Sequence, residues 1–101
     1  MAELLTDDQV TEALGRLAQW RQDGAALVRT VDLASFSAAI QAVVRVAEIA
    51  ENDNHHPDID IRWRTLTFRC ATHSAGGVTS LDVTLAGEID GVLEVLGQPS
   101  E

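Results

Sequence analysis

The chain has 101 residues, 16 of them Asp or Glu against 7 basic ones, and a formal net charge of −9 at pH 7. That length supports one domain, residues 1–101, and a hydrophobic fraction of 46% belongs to a chain that folds, not to an acidic disordered segment. The acidity weighs against a binder of nucleic-acid phosphates, which needs clustered Lys and Arg, and no basic amphipathic stretch suits a membrane surface.

The opening residues, MAELLTDDQ, carry no positive n-region and no long apolar run, so no signal peptide is expected. Thr6 and Gln9 have the spacing of a capping box, and Val10, Ala13, Leu14 and Leu17 recur at helical spacing, predicting a first helix over 7–18. Trp20 follows, and then Asp23-Gly24, a strong hairpin signal that predicts strands over 19–22 and 25–33. Ser35 is placed to cap a second helix whose stripe is Phe36, Ala39, Ile40, Val43, Ala47 and Ala50, widened by Val46 and Ile49. Asn52-Asp53-Asn54 and Pro57 should stop it.

Beyond Pro57 the pattern is that of strands. Ile59, Ile61 and Trp63 alternate in one parity, and Leu66, Phe68 and Cys70 in the other. One strand cannot exchange its buried face without a bulge or a turn. A two-residue turn at Arg64-Thr65 pairs Trp63 with Leu66 and brings His56 opposite His73, whereas one straight strand would hold those histidines ~56 Å apart at ~3.3 Å per residue. Arg-Thr is poor turn chemistry, so the hairpin rests on the parity change. Ser74-Ala75-Gly76-Gly77 reads as a loop, and Thr79-Ser80-Leu81-Asp82 as a second capping signal, with Val78 and Val83 as a staple. Leu85, Ala86, Ile89, Val92, Leu93 and Leu96 then continue at helical spacing to about 97, where Gly97-Gln98-Pro99 ends the helix. Leu81, Val83 and Leu85 also alternate like a strand. The order is that of an α+β domain.

All three histidines, His55, His56 and His73, fall in one short window. Imidazole both gives and takes protons near neutral pH, so paired histidines suit general acid–base work. In an extended stretch His55 and His56 point to opposite sides, so a second ring facing the same cleft must come from elsewhere, as the hairpin would supply with His73. Glu51 and Asp82 can orient imidazoles or bind the edge of a polar heterocycle. The same residues allow plainer readings: a solvated HHP turn, Asp82 as a helix cap, and Glu51 as a helix-face charge. Asp53, Asp58 and Asp60 read as a solvated loop, Trp20 and Trp63 as packing, and Cys70 as inert core. A metal site of the histidines with Glu51 and Asp82 ranks below catalysis, because neither HxH nor HxxxH is present. A lone Cys excludes a disulfide framework and fits a reducing, cytoplasmic setting. No run of about 18 apolar residues is present to span a bilayer.

The segment Glu51-Asn52-Asp53-Asn54-His55-His56-Pro57, the aromatic Trp63, Thr72-His73 and the stretch from Gly77 to Ala86 with Asp82 before Leu85-Ala86 resemble the pterin-4a-carbinolamine dehydratase family. The resemblance covers essentially the whole chain. It implies an α-ββ-α-ββ-α fold, a four-stranded antiparallel sheet with helices on one face. It resolves both the hairpin near Arg64-Thr65 and the helical reading from Ser80. It implies loss of water from a 4a-hydroxytetrahydropterin to give a quinonoid dihydropterin, recycling the cofactor of aromatic amino acid hydroxylases, with no metal or organic cofactor. It assigns proton transfer to His55 and His73 and an orienting role to His56. Glu51, Asn54, Pro57, Ala71, Thr72, Ser74 and Asp82 fall at or near the family's pterin pocket. One departure is Ile59, where some members carry an aromatic residue, which removes a stacking wall. The other reading is a binding module. Family members are associated with dimerisation and transcriptional co-activation through a helical surface, for which Val43, Val44 and Ala47 are candidates here, giving a homodimer or homotetramer.

Overall fold

The computed structural model describes residues 2–96. Thr6 and Gln9 cap α1 (Asp7–Arg16) reciprocally, the Gln9 N–H donating to Thr6 Oγ1 at 3.2 Å and the Thr6 N–H to Gln9 Oε1 at 2.8 Å. The helix ends two residues earlier than its periodicity predicts, and Leu17 and Trp20 reach the core from the turn that follows. The first hairpin joins β1 (Arg21–Asp23) to β2 (Ala26–Asp32), and its turn residues are Gly24 and Ala25, because Asp23 already pairs with Ala26. Gly24 has φ 60°, the left-handed conformation that glycine alone adopts without cost. The Trp20 indole N–H and Arg29 Nη1 both donate to Asp90, at 2.8 and 2.5 Å, tying this end of the chain to the last helix.

Helix α2 (Phe36–Asp53) starts on Ser35, whose Oγ accepts from the Ala38 N–H at 3.0 Å. Strands β3 (Asp58–Arg62) and β4 (Thr65–Cys70) form the second hairpin, and α3 (Ser80–Leu96) follows. The helical reading from Ser80 holds; the proposed stop at Gly97-Gln98-Pro99 lies outside the described residues. The sheet is antiparallel throughout in the order β1-β2-β4-β3, with the helices on one face. Leu66, Phe68 and Cys70 point inward and are fully buried with Leu27, Leu85 and Ile89. Thr65, Thr67 and Arg69 alternate outward and bond across strands, to Asp32, Thr30 and Asp23 respectively. Burial, then the nearby Asp82 and Asp58 carboxylates, push the Cys70 thiol up to about 12, so it is inert core as expected.

Two further expectations are corrected. The β3–β4 turn is Trp63-Arg64, since Arg62 pairs with Thr65 and Ile61 with Leu66. Parity alone permits either register, and contacts from another strand end decide between them. The Leu33 N–H donates to Arg64 O at 2.9 Å, and Arg64 Nη1 donates back to Leu33 O at 2.9 Å. Trp63 therefore leaves the strand, takes φ 55° and stands 71% exposed, with the Arg64 guanidinium 5.0 Å from its ring centre. By this register His56 falls level with Ala71, not with His73.

The second correction concerns the inner face of α2. Ala39, Ala42, Val46 and Ala50 are buried, while Phe36, Ile40 and Val44 are exposed. Both stripes have helical period, and the one with small side chains lets α2 approach α3 closely.

At the far end of α2, Glu88 of α3 meets Asp53. A side-chain hydrogen bond with the Asp53 carboxyl, then partial burial, push Glu88 from 4.5 up to about 7. Because the folded value is raised, the stability tied to this proton is complete below pH 4.5 and is lost as pH rises through about 7. Glu88→Gln should therefore be more stable than the parent at about pH 8 by about 1 kcal/mol, allowing for solvent screening. That gain should vanish at low pH. Urea midpoints measured across this range test it.

Candidate active site

The histidines are set in place by the two ends of α2 and β4. Helix α2 closes in a Schellman arrangement: the His55 N–H donates to Ala50 O at 3.1 Å and the Asn54 N–H to Glu51 O at 3.3 Å. Asn54 carries the left-handed conformation this requires, φ 52° and ψ 41°. Residues 55–57 are neither helix nor strand, so the alternation expected of an extended stretch does not apply. Both His55 and His56 line the same cavity. Asn54→Val should cost about 1–3 kcal/mol, because a β-branched residue is strained at positive φ, and it should also displace His55. Asn54→Gly should be nearly neutral. Thermal melts of the two variants distinguish local strain from loss of the asparagine side chain.

His73 comes from a tight loop after β4. The Thr72 carbonyl accepts from the Ala75 and Gly76 N–H groups at 3.0 and 2.9 Å, and the Thr72 N–H donates to Gly77 O at 2.9 Å. Gly76 has φ 77°, and a Cβ on Gly77 would meet Leu4 Cδ2 at 2.8 Å. The loop thus holds His73 at the rim, exposed and with no side-chain hydrogen bond among the described residues.

The cavity measures about 280 Å³, at the small end of the range for small-molecule sites, and is lined by Asn54, His55, His56, Ala71, Thr72, His73, Ser74 and Leu81. A neighbouring hollow of about 230 Å³ shares Ala71, Thr72 and His73 and adds Asp58 and Arg69 on its far side. Three expected residues are not on the cavity wall. Glu51 lies outside and accepts from the His56 imidazole, with Oε2 2.6 Å from Nε2. Pro57 is half-buried beside it. Asp82 lies beneath the floor, fully buried, with Oδ1 2.6 Å from His55 Nε2. Its Oδ2 accepts from the Thr72 hydroxyl and the Thr79 N–H, each at 2.8 Å. The capping and functional readings of Asp82 are thus both realised, one oxygen serving the start of α3 and the other His55. Ile59 pairs with Phe68 and packs against the core, so that position supplies no cavity wall here.

Sequence reading missed Leu81 on the wall and Thr79 beneath it. Leu81, an apolar residue left exposed in the first turn of α3, carried a weak signal; the burial of Thr79 carried none. Among the described residues no three His, Cys, Asp or Glu side chains converge as a metal-holding group. Their arrangement is instead two separate imidazole–carboxylate pairs and one free imidazole around a single hollow. Two rings can exchange protons with a bound molecule, and a buried carboxylate orients one of them.

Comparison with known proteins agrees with this geometry. A family model described as pterin 4 alpha carbinolamine dehydratase matches residues 3–92. A protein of Nocardia farcinica that carries the provisional name pterin-4-alpha-carbinolamine dehydratase is 57% identical over 88 residues, 87% of this chain and 93% of that protein. One of Mycolicibacterium vanbaalenii with the same provisional name is 54% identical over 90 residues, covering 89% and 97%. The crystal structure of a transcriptional coactivator/pterin dehydratase from Brucella melitensis superposes with a TM-score of 0.85 at 31% identity, over 87% of this chain and 96% of that one. A pterin dehydratase-like protein identified as a RuBisCO assembly factor in the alpha-carboxysome shares the fold alone, with a TM-score of 0.59 at 14% identity over 72% and 84% of the two chains.

Proposed function

The chain belongs to the pterin-4a-carbinolamine dehydratase family, and from that membership we propose that it removes water from a 4a-hydroxytetrahydropterin to give the quinonoid dihydropterin. The observation that carries this reading is the set of three histidines around one cavity, one of them backed by a buried carboxylate. In the reaction the C4a–oxygen bond breaks as the hydroxyl takes up a proton and leaves as water, and a ring nitrogen gives up a proton as the new double bond forms. One general acid and one general base suffice, and no metal or organic cofactor is required. His55 and His73 serve as the proton-transferring pair, while His56, steadied by Glu51, orients the substrate. Asn54, Ala71, Thr72, Ser74 and Leu81 form the walls, and Asp82 acts through His55. No described helix is long and apolar enough to cross a membrane, and the unpaired Cys70 suits a reducing compartment, so we place the reaction in the cytoplasm. The test is dehydration of a 4a-hydroxytetrahydropterin generated in situ. The protein should accelerate it well beyond the spontaneous rate, and equal rates with and without protein would refute the reading.

A second reading concerns partners. Phe36, Ile40 and Val44 form a stripe one turn apart along α2, 52%, 37% and 51% exposed. Ile40 and Val44, with Leu96 of α3, border a groove of about 330 Å³ that Ser37, Gln41 and Arg45 complete. Of the residues singled out in the sequence, Val44 and Ala47 face outward, while Val43 packs inward. We infer that this stripe pairs with a second copy, giving a homodimer or, by a further two-fold, a homotetramer. Sedimentation should show an oligomer that Ile40→Glu/Val44→Glu converts to a folded monomer. A wild-type monomer at micromolar concentration would dismiss this reading and leave the catalytic one standing.

A further inference from the structure

Four side chains, His55 and Thr72 on the cavity wall and Asp82 and Thr79 beneath it, form a hydrogen-bonded chain whose proton order can be derived. A threonine hydroxyl has one proton to give. Thr72 gives its proton to Asp82 Oδ2 at 2.8 Å, so in its 2.7 Å contact with Thr79 Oγ1 it must accept, and Thr79 must donate. Thr79 Oγ1 in turn accepts from the Leu81 N–H at 3.2 Å, at the start of α3. Asp82 accepts at Oδ2 from two donors, and with the carboxylate as acceptor at Oδ1 too, the proton there belongs to His55 Nε2, 2.6 Å away. The order therefore runs from the helix start through Thr79 and Thr72 to Asp82, with His55 donating from the other side.

We infer that Thr79 is a positioning residue for the proposed reaction. Its hydroxyl donates to Thr72 and so keeps the Thr72 proton aimed at Asp82, the carboxylate that holds His55 as the Nε2–H tautomer and leaves Nδ1 to exchange protons in the cavity. Thr79 is 0% exposed and Thr72 5%, so little water reaches these bonds. The backbone of Thr79 is pinned as well: it bridges to Leu4, and the Leu5 N–H donates to Val78 O at 2.9 Å. A helix cap alone would need only the Leu81 N–H bond. The donated bond to Thr72 is the one that reaches the imidazole.

The catalytic half of this inference rests on the dehydratase reading; the tautomer half does not. The test is the ¹⁵N spectrum of the imidazoles in the full-length protein, beside the steady-state kinetics. In the wild type His55 should show the Nε2–H tautomer. Thr79→Val keeps the shape and removes the hydroxyl; Asp82 still accepts from His55, so the tautomer should persist, while the His55 ¹⁵N signal shifts and kcat falls about tenfold, the worth of one net hydrogen bond, with KM unchanged. Thr79→Ser should restore both. An Nδ1–H tautomer in the wild type overturns the inference without any variant, as does an unchanged His55 signal in Thr79→Val. If Thr79→Val does not fold, Thr72→Val breaks the same chain one link on and must shift the His55 signal and lower kcat for the inference to stand. A wild type that shows the Nε2–H signal but no dehydratase activity would sink the functional reading and leave the relay intact.

Discussion

Replacing His55 and His73 together by alanine is expected to bring the dehydration rate down to that of free solution. Each acid or base group in a proton-transfer site is worth about 10²–10⁴-fold. The pair acts as a unit, so each single variant should lose most of what the double variant loses. The two singles should nevertheless differ in stability. His73 is exposed and makes no side-chain hydrogen bond among the described residues, so His73→Ala should fold within about 0.5 kcal/mol of the parent. His55 is 11% exposed and bonded to Asp82, so His55→Ala leaves a buried carboxylate oxygen without its donor and should be measurably less stable. His56 is 54% exposed on a carboxylate that is itself 76% exposed, and His56→Ala should show its loss mainly in KM. Rates with in situ substrate, read beside thermal melts, separate these outcomes. A His73→Ala variant as active as the parent would remove it from the proton-transfer pair.

Asp82→Ala is expected to have the largest effect on stability of any single change near the site. It strips an acceptor from three buried donors at once: the Thr72 hydroxyl, the Thr79 N–H and His55 Nε2. Leaving buried donors unmet costs about 1–3 kcal/mol each, but they relax together, so a total of about 3 kcal/mol is expected, including the lost cap. In a chain of this size that is a large part of the whole stability. Asp82→Asn should be milder in stability, since one acceptor oxygen remains. It should still lose activity, because the amide nitrogen faces one of the three donors. Urea denaturation of both variants, with activity measured on the folded fraction, tests the two halves separately.

Much of this fold was legible from local chemistry. The Thr6–Gln9 box, the Ser35 cap, the arrest of α2 around Asn54 and the start of α3 after Thr79 are each decided by side chains within a few residues of the backbone groups they satisfy. The strand parity change before Leu66 likewise required a turn. The clustering of His55, His56 and His73 pointed to one site, and they do line one cavity.

The misreadings arose where two solutions share one local pattern. The registers that turn at Trp63-Arg64 and at Arg64-Thr65 have the same parity, and only the two bonds between Arg64 and Leu33 select the first. The His56–His73 pairing inferred from the other register fails with it; the two residues line one cavity because the end of α2 and the Thr72–Gly77 loop converge. Helix α2 has two apolar stripes of equal period. The one of small residues faces α3, and Phe36, Ile40 and Val44 are left outside.

The sequence by itself therefore determined the elements, their order, the helix caps and the grouping of histidines that points to acid–base chemistry. These follow from interactions spanning a few residues, which any compact arrangement of the chain would keep. Only the tertiary structure decided the strand register, the outward face of α2, and the burial of Asp82 under His55 with Thr72 and Thr79 around it. Such features depend on which distant groups lose water together, and a buried carboxylate finds its donors from wherever the fold brings them.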